Sequence, residues 1–288
     1  MSEICKNWTE WLKKNRFAGQ TPEMVEQTTR WLEAVRDVVL AYAEIQPYET
    51  VIDIGTGTGL LAFKILEMQN LQGKVIFSDM FQDCLDDCKN ILDEAGIKEG
   101  YEFLQCPIEH IALPESSVHK AVMRSVLVHV VNKQVALNEV YRILKPGGKL
   151  SAFEPVIRSN TRYWQILDPM YIEKYEDFKK AENEIMENPM DSLCNFDERT
   201  LKINLEIAGF SVPDVKLQDV SSSYVVQPNM VREWFINPPS PNQPSTKERF
   251  MKYFDEQTVE KFMSDVQNYL TGRQISLKTN AVFINATK

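Results

Sequence analysis

Asp53 is followed by glycines at alternate positions, Gly55, Gly57 and Gly59, with Thr56 inside the run. Such a run can bring backbone N–H groups against a ligand with no Cβ in the way. Asp79 comes twenty residues after Gly59, at the end of the apolar run Lys74-Val-Ile-Phe77. An acid at that place can accept both hydroxyls of a ribose. Three further residues stand at or just beyond the ends of later apolar runs: Arg124, His129 and Glu154. Arg124 could meet a carboxylate, or pair with a surface acid. His129 could take up a proton near neutral pH, or merely start a helix. Glu154 could hold a cationic or hydroxyl group, or merely open a turn before Pro155.

The elements that must position these groups can be read around them. Val51 to Ile54 reads as a buried parallel strand, and a helical pattern of apolar residues begins at Leu60. Strand, glycine turn, helix and downstream acid make half of a mononucleotide-binding unit. Two cofactors compete for it. The nicotinamide dinucleotide fingerprint G-x-G-x-x-G/A is met by Gly57-Thr-Gly59-Leu-Leu-Ala62. The pattern D-x-G-x-G-x-G is met by Asp53 through Gly59. A pyrophosphate on the helix N-terminus would be repelled by a buried carboxylate two residues before the first glycine. S-adenosylmethionine carries an ammonium and a sulfonium instead, and Asp53 suits both.

Here the sequence resembles the class I S-adenosylmethionine-dependent methyltransferases. The resemblance implies that Asp53 orients the methionine ammonium end. It implies close backbone approach at Gly55, Thr56, Gly57 and Gly59, ribose binding by Asp79, and Met80 stacking near the adenine. In that family the stretch after strand three runs D-A-x-x-L-P, and its acid holds the adenine amino group. Here it reads Pro107-Ile-Glu-His-Ile-Ala-Leu-Pro114. Pro107 stands where the acid would be and Ile108 at the backbone donor, leaving Glu109 or the Cys106 carbonyl as substitutes. Arg124 falls where it could contact the cofactor. Glu139-Val-Tyr-Arg-Ile-Leu-Lys-Pro-Gly-Gly148 resembles the late motif of the ubiquinone- and menaquinone-type methyltransferases.

The expected fold is α/β: a Rossmann-like, seven-stranded, mostly parallel sheet whose last strand runs antiparallel between strands five and six. Within one domain over 1–288, residues 1–45 form an N-terminal helical cap, with helices over 3–15 and 22–45. Residues 46–156 are the cofactor-binding core, 157–195 a lid insertion, 196–228 core again, 229–272 a second insertion and 273–288 the last strand. The lid carries Tyr163, Trp164, Tyr171, Tyr175 and Phe178, and the second insertion a helix from about Thr246 to Leu270. Strands six and seven are expected over 215–220 and 281–285.

Composition narrows the partners. The chain has 288 residues, 43% apolar and 25% charged, with a net charge of −9. An acidic balance disfavours nucleic acid, whose phosphates need a basic face. No run of 18 apolar residues and no signal-peptide core appear, which points to the cytoplasm without stable membrane insertion. The five cysteines are scattered, so no disulfide framework is implied, and a metal site is not expected.

Methyl transfer is an in-line displacement that asks mainly for alignment and exclusion of water. A base is needed only if the acceptor is protonated at the moment of attack. The expected activity is therefore transfer of a methyl group to an N, O or C atom of a small organic acceptor, with His129 and Glu154 as candidate catalytic groups. The alternatives are a nicotinamide-dependent oxidoreductase and a methyltransferase-like protein that binds the cofactor without turnover. The oligomeric state is left open.

Overall fold

The computed structural model describes residues 9, 12–14, 17, 20–241 and 243–288. The expected helix over 3–15 lies largely outside the described residues. Apolar runs without polar alternation make inner parallel strands covered on both faces, whereas the parallel edge strand over Tyr101–Gln105 alternates and is half-exposed. The parallel strands are β1 (Thr50–Ile54), β2 (Lys74–Asp79), β3 (Tyr101–Gln105), β4 (Val118–Arg124) and β5 (Leu144–Pro155). β6 (Ser211–Val225) and β7 (Gln274–Thr287) complete a seven-stranded sheet in the order β3-β2-β1-β4-β5-β7-β6. β7 is antiparallel to both of its neighbours, β5 and β6, as expected.

Helices cover both faces. α1 (Pro22–Ala43) begins at Thr21, whose hydroxyl accepts from the Met24 N–H at 3.3 Å, with Pro22 in the first turn. It buries Val35, Val39 and Ala43 against the sheet, beside α2 (Ala62–Gln69) and α3 (Gln82–Glu94). On the opposite face, α4 (Lys133–Ile143) and α7 (Glu198–Ala208) bury Ala136, Leu137, Val140, Leu201 and Leu205. No helix among the described residues is long and apolar enough to cross a membrane.

The two insertions pack on each other. The first holds α5 (Tyr163–Ile166) and α6 (Tyr175–Met186). The second holds α8 (Met230–Ile236), α9 (Thr246–Phe250) and α10 (Glu256–Leu270). Together they enclose a third apolar cluster centred on Phe178, which stacks on Phe262 at 3.8 Å and on Phe254 at 4.2 Å between ring centroids. The single helix expected over 246–270 is two, because Asp255 caps a fresh start by accepting from the Thr258 N–H at 2.8 Å. β6 and β7 are both longer than expected. Their extra residues pair with each other, Ser221 with Lys278 through to Val225 with Gln274, and form an arm that reaches the inserted helices. The Ser221-Ser-Ser223 run has no apolar pattern, so only its partner strand makes it a strand.

Buried polar groups tie the first insertion to the core and the two insertions to each other. Lys133 Nζ donates to the Val130 carbonyl at 2.7 Å, the Ser192 carbonyl at 3.1 Å and the Asn195 side chain. Arg249 pairs with Asp191 and donates to the Pro244 carbonyl and the Gln243 side chain, each at 3.1 Å. Both charged side chains of the Arg249–Asp191 pair are 10% exposed. Asp191→Ala would leave the Arg249 guanidinium buried without its countercharge. It should cost about 3 kcal/mol of stability in urea unfolding. An unchanged midpoint would show that the pair is not what ties the two insertions.

Candidate active site

The glycine loop is held by carboxylates at the ends of two strands. Asp53, at the end of β1, is 1% exposed. Its Oδ2 accepts from the Thr56 hydroxyl at 2.8 Å and from the Ala62 N–H at 3.1 Å, tying the loop and the start of α2 to the strand. Burial pushes the Asp53 carboxyl up to about 7, and these two hydrogen bonds pull the other way. Asp79 Oδ2 accepts from the Gly57 N–H at 2.9 Å, and Oδ1 from the Phe81 N–H at 3.0 Å. Burial also raises Asp79. From below, the Cys88 thiol donates to the Gly57 carbonyl at 3.4 Å.

Gly57 has φ +53°, a conformation that side chains rarely adopt. A Cβ there would meet only Leu12 Cδ1, at 3.0 Å, and the Gly55 carbonyl at 4.0 Å, so it would intrude on the cavity that Gly57 lines. Gly59 serves differently from the expectation. It does not line the cavity, and a Cβ there would strike the Phe63 ring at 2.3 Å. Its small size is needed for packing of α2 on the loop.

The cavity measures about 640 Å³ and opens at the carboxyl ends of the parallel strands. It brings together Asp53, Gly55, Thr56, Gly57, Asp79 and Met80 from the β1 and β2 ends. Ile108 and Glu109 join from the loop after β3, and Arg124 and His129 from the stretch after β4. Met80 is 53% exposed, so it is not a core-filling methionine.

The two candidate catalytic groups stand otherwise than the sequence suggests. Glu154 is fully buried and does not line the cavity. Its Oε1 accepts from the Val126 and Leu127 N–H groups at 2.9 and 3.0 Å, and its Oε2 from Val128 at 3.1 Å. It holds the 3₁₀ turn Leu127–His129 in place. Burial lifts its carboxyl to about 7 against those three donors. His129 does line the cavity, but burial, helped by the positive charges of Lys133 and Arg124, pushes it down to about 4. It is therefore a neutral imidazole at physiological pH and a poor base. Burial also lowers Arg124, while the carboxylates of Glu154 and Asp53 raise it.

The far end of the cavity is apolar, with Val128, Val130, Pro155 and Ile157 on the core side. Leu193 from the first insertion and Pro239 from the second roof it, and Leu12 closes the loop side. Sequence reasoning missed Leu12, Cys88, Ser125, Leu193 and Pro239. Cys88 was visible only as one of two thiols a helical turn apart, and Ser125, at φ +57° beside Arg124, had no signal in its residue type. Among the described residues, no group of three or more His, Cys, Asp or Glu could hold a metal ion.

Strand order, glycine loop and the acid on β2 together define a class I S-adenosylmethionine-dependent methyltransferase. The family model described as "Methyltransferase domain" matches residues 45–209, more than half of the chain, and the protein belongs to that family. Among curated relatives, the ubiquinone/menaquinone biosynthesis C-methyltransferase UbiE of Francisella tularensis subsp. novicida is 28% identical over 197 residues, covering 65% of this chain and 75% of the relative. Two solved structures share the fold. The YcgJ protein of Bacillus subtilis superposes with TM-score 0.56 at 17% identity, covering 88% of this chain and 98% of that one. Phosphoethanolamine N-methyltransferase 2 of Haemonchus contortus, in complex with phosphomonomethylethanolamine and S-adenosylhomocysteine, gives TM-score 0.52 at 14% identity, covering 88% of this chain and 52% of that one.

The protein is thus an enzyme whose cofactor is S-adenosylmethionine and whose acceptor is a small molecule. The nicotinamide reading fails on the antiparallel β7 and on the family match. The residues present fit the cofactor. The cradle at Gly57 would be filled by a Cβ, and the cavity falls within the roughly 300–1,000 Å³ of small-ligand sites. Gly57→Val should weaken S-adenosylhomocysteine binding by about a hundredfold or more. It should also cost about 1–3 kcal/mol from the positive φ. Calorimetry and thermal melting read the two separately, and retained micromolar affinity would mean that the loop does not cradle the cofactor.

Proposed function

We propose that the cofactor lies across the carboxyl ends of β1, β2 and β3, with its methyl group turned toward the apolar end of the cavity. In this reading Asp53 faces the methionine ammonium and Gly55, Thr56 and Gly57 give close backbone approach. Asp79 takes the ribose, Met80 and Ile108 flank the adenine, and Glu109 replaces the acid missing at Pro107. Arg124 sits between the carboxylates of Asp53 and Glu154 and fixes their side of the cleft. The bound sulfonium supplies an electrophilic methyl group for in-line displacement. The observation that carries the assignment is the single cavity joining Asp53, Gly57 and Asp79 to an apolar chamber.

The apolar chamber supports an organic acceptor with a hydrophobic body. A quinone-type or other prenylated ring is the acceptor we favour, because the chamber is walled by Val128, Val130, Ile157 and Leu193 and the curated relative is named for ubiquinone and menaquinone biosynthesis. Neither Glu154 nor His129 is placed to act as a strong base. The acceptor atom, whether N, O or C, therefore attacks in an already nucleophilic form. The chain's part is orientation and exclusion of water, with residues 157–195 and 229–272 as the lid. The net charge of −9 disfavours nucleic acid, and the four described cysteines are free and buried, which suits the cytoplasm.

Incubation with S-adenosylmethionine and a panel of hydroquinones, phenols, amines and acids should release S-adenosylhomocysteine with an apolar ring and much less with small polar acids. Turnover confined to polar amines would overturn the acceptor assignment, and cofactor binding with no turnover on any acceptor would favour the non-catalytic alternative.

The Asp53 carboxyl also sets a pH dependence. In the free chain its value is raised to about 7, so below that pH it holds a proton. A cationic ligand binds the ionised form better, so each pH unit below 7 should weaken S-adenosylmethionine binding by up to about tenfold. Affinity should rise from pH 6 to 8 and then level off, and Asp53→Asn should bind weakly with no slope. A parallel slope in Asp53→Asn would move the titrating group elsewhere.

A further inference from the structure

A second cavity, of about 300 Å³, lies inside the lid, separated from the cofactor cleft by Ile157, which lines both. Its walls come from three places: the first insertion, the second insertion and the arm formed by β6 and β7. Tyr224, Trp234 and Thr246 on those walls lie outside the residues matched by the methyltransferase family model. The chamber is therefore built partly from residues beyond the family match, while Tyr163 and Glu182 lie within it.

One carboxyl group there, that of Glu182, makes no direct ion pair among the described residues. Glu182 is 4% exposed. Its Oε1 accepts from the Tyr163 N–H at 3.0 Å. The Trp164 N–H also bonds this carboxyl, and capping these N–H groups at the start of a four-residue helix does not need a charge. The two cations on the walls are already matched, Arg249 by Asp191 and Lys278 by Asp219 at 2.7 Å. Arg162 acts on Glu182 only through space. Burial pushes the Glu182 carboxyl up to about 7, against the Tyr163 and Trp164 N–H groups and the charge of Arg162. Around it stand the aromatic side chains of Tyr163, Tyr224 and Trp234, whose ring faces attract cations.

We propose that this chamber is a second binding site, for a small organic ammonium whose charged end meets Glu182 and whose apolar body lies among Tyr163, Tyr224 and Trp234. The ligand sits behind Ile157 and leaves the cofactor cleft free. The site does not depend on which acceptor is methylated.

Calorimetry on the full chain with benzylamine, benzyl alcohol and phenylacetate tests it, each with and without saturating S-adenosylhomocysteine. Benzylamine should bind at least about tenfold more tightly than benzyl alcohol, phenylacetate should not bind, and S-adenosylhomocysteine should not displace the amine. Glu182→Gln keeps an acceptor for the Tyr163 N–H. It should lose benzylamine affinity at least about tenfold while binding S-adenosylhomocysteine as before. Should that variant fail to bind S-adenosylhomocysteine, Trp234→Leu replaces it, and it should weaken benzylamine severalfold. Equal affinity for amine and alcohol, an unchanged affinity in both variants, or displacement by S-adenosylhomocysteine would overturn the proposal. Loss of S-adenosylhomocysteine binding in the unmodified chain would count against the cofactor placement instead, and leaves the amine measurement intact.

Discussion

The site rests on buried carboxylates that accept backbone N–H groups from the turns around them. A glycine-rich loop that must present its backbone to a ligand has few side chains of its own to hold it. Asp53 solves this from inside the strand by taking the Thr56 hydroxyl and the Ala62 N–H. Asp79 holds the middle of the same loop through the Gly57 N–H. Glu154 repeats the device at the end of β5, where it takes three consecutive N–H groups of the turn that carries His129. In an open α/β sheet the strand ends converge on the ligand. Acids placed there shape the loops and set the charge of the cleft at once.

That arrangement has an electrostatic consequence. Two buried carboxylates, Asp53 and Glu154, act on one guanidinium, Arg124, and burial raises both of their carboxyls and that of Asp79. Such a cleft disfavours a pyrophosphate and favours a cation. The preference for a sulfonium nucleoside over a dinucleotide therefore does not come from any one contact. It follows from where the chain leaves uncompensated negative charge. His129 feels the opposite influence: two neighbouring cations and burial hold it neutral.

The parts legible in the sequence were those with local causes. Val51 to Ile54 had to be a buried strand, three glycines had to be a turn, and Asp79 closed the unit, so the positions of Asp53, Gly57 and Asp79 could be read in advance. The strand order followed from the family resemblance. What could not be read depended on distant partners. Glu154 looked like a cleft acid from its place at a strand end, but the side on which its carboxylate falls is set by the donors of the 126–128 backbone. His129 could be read as a near-neutral base or as a helix-start residue, because nothing local showed the partial burial and the cations that hold it neutral. Gly59 belongs to the glycine pattern yet is kept small by Phe63 rather than by a ligand. The long arm of β6 and β7 turns Tyr224, Ile275 and Leu277 to the lid cluster, but the serine run 221–223 has no apolar pattern and is made regular only by pairing with β7.

The same dependence on distant partners gives the lid its character. Phe178, Phe235, Phe250 and Phe262 form a core that the sheet shares only through Tyr224, Ile275 and Leu277 of the β6–β7 arm, so the two insertions pack as one unit. That unit touches the cleft through few side chains, chiefly Leu193 and Pro239. Its position over the cleft comes from a polar tie to the core, Lys133 reaching from α4 to Ser192 and Asn195, while Arg249, reaching from α9 to Asp191, locks the two insertions to each other. Apolar packing would hold the unit together without fixing its register over the cleft, because it is non-directional. Directional hydrogen bonds to buried charges fix that register, since each misplacement leaves a charge unmatched. The roof of the acceptor chamber is thus set by groups that never enter it.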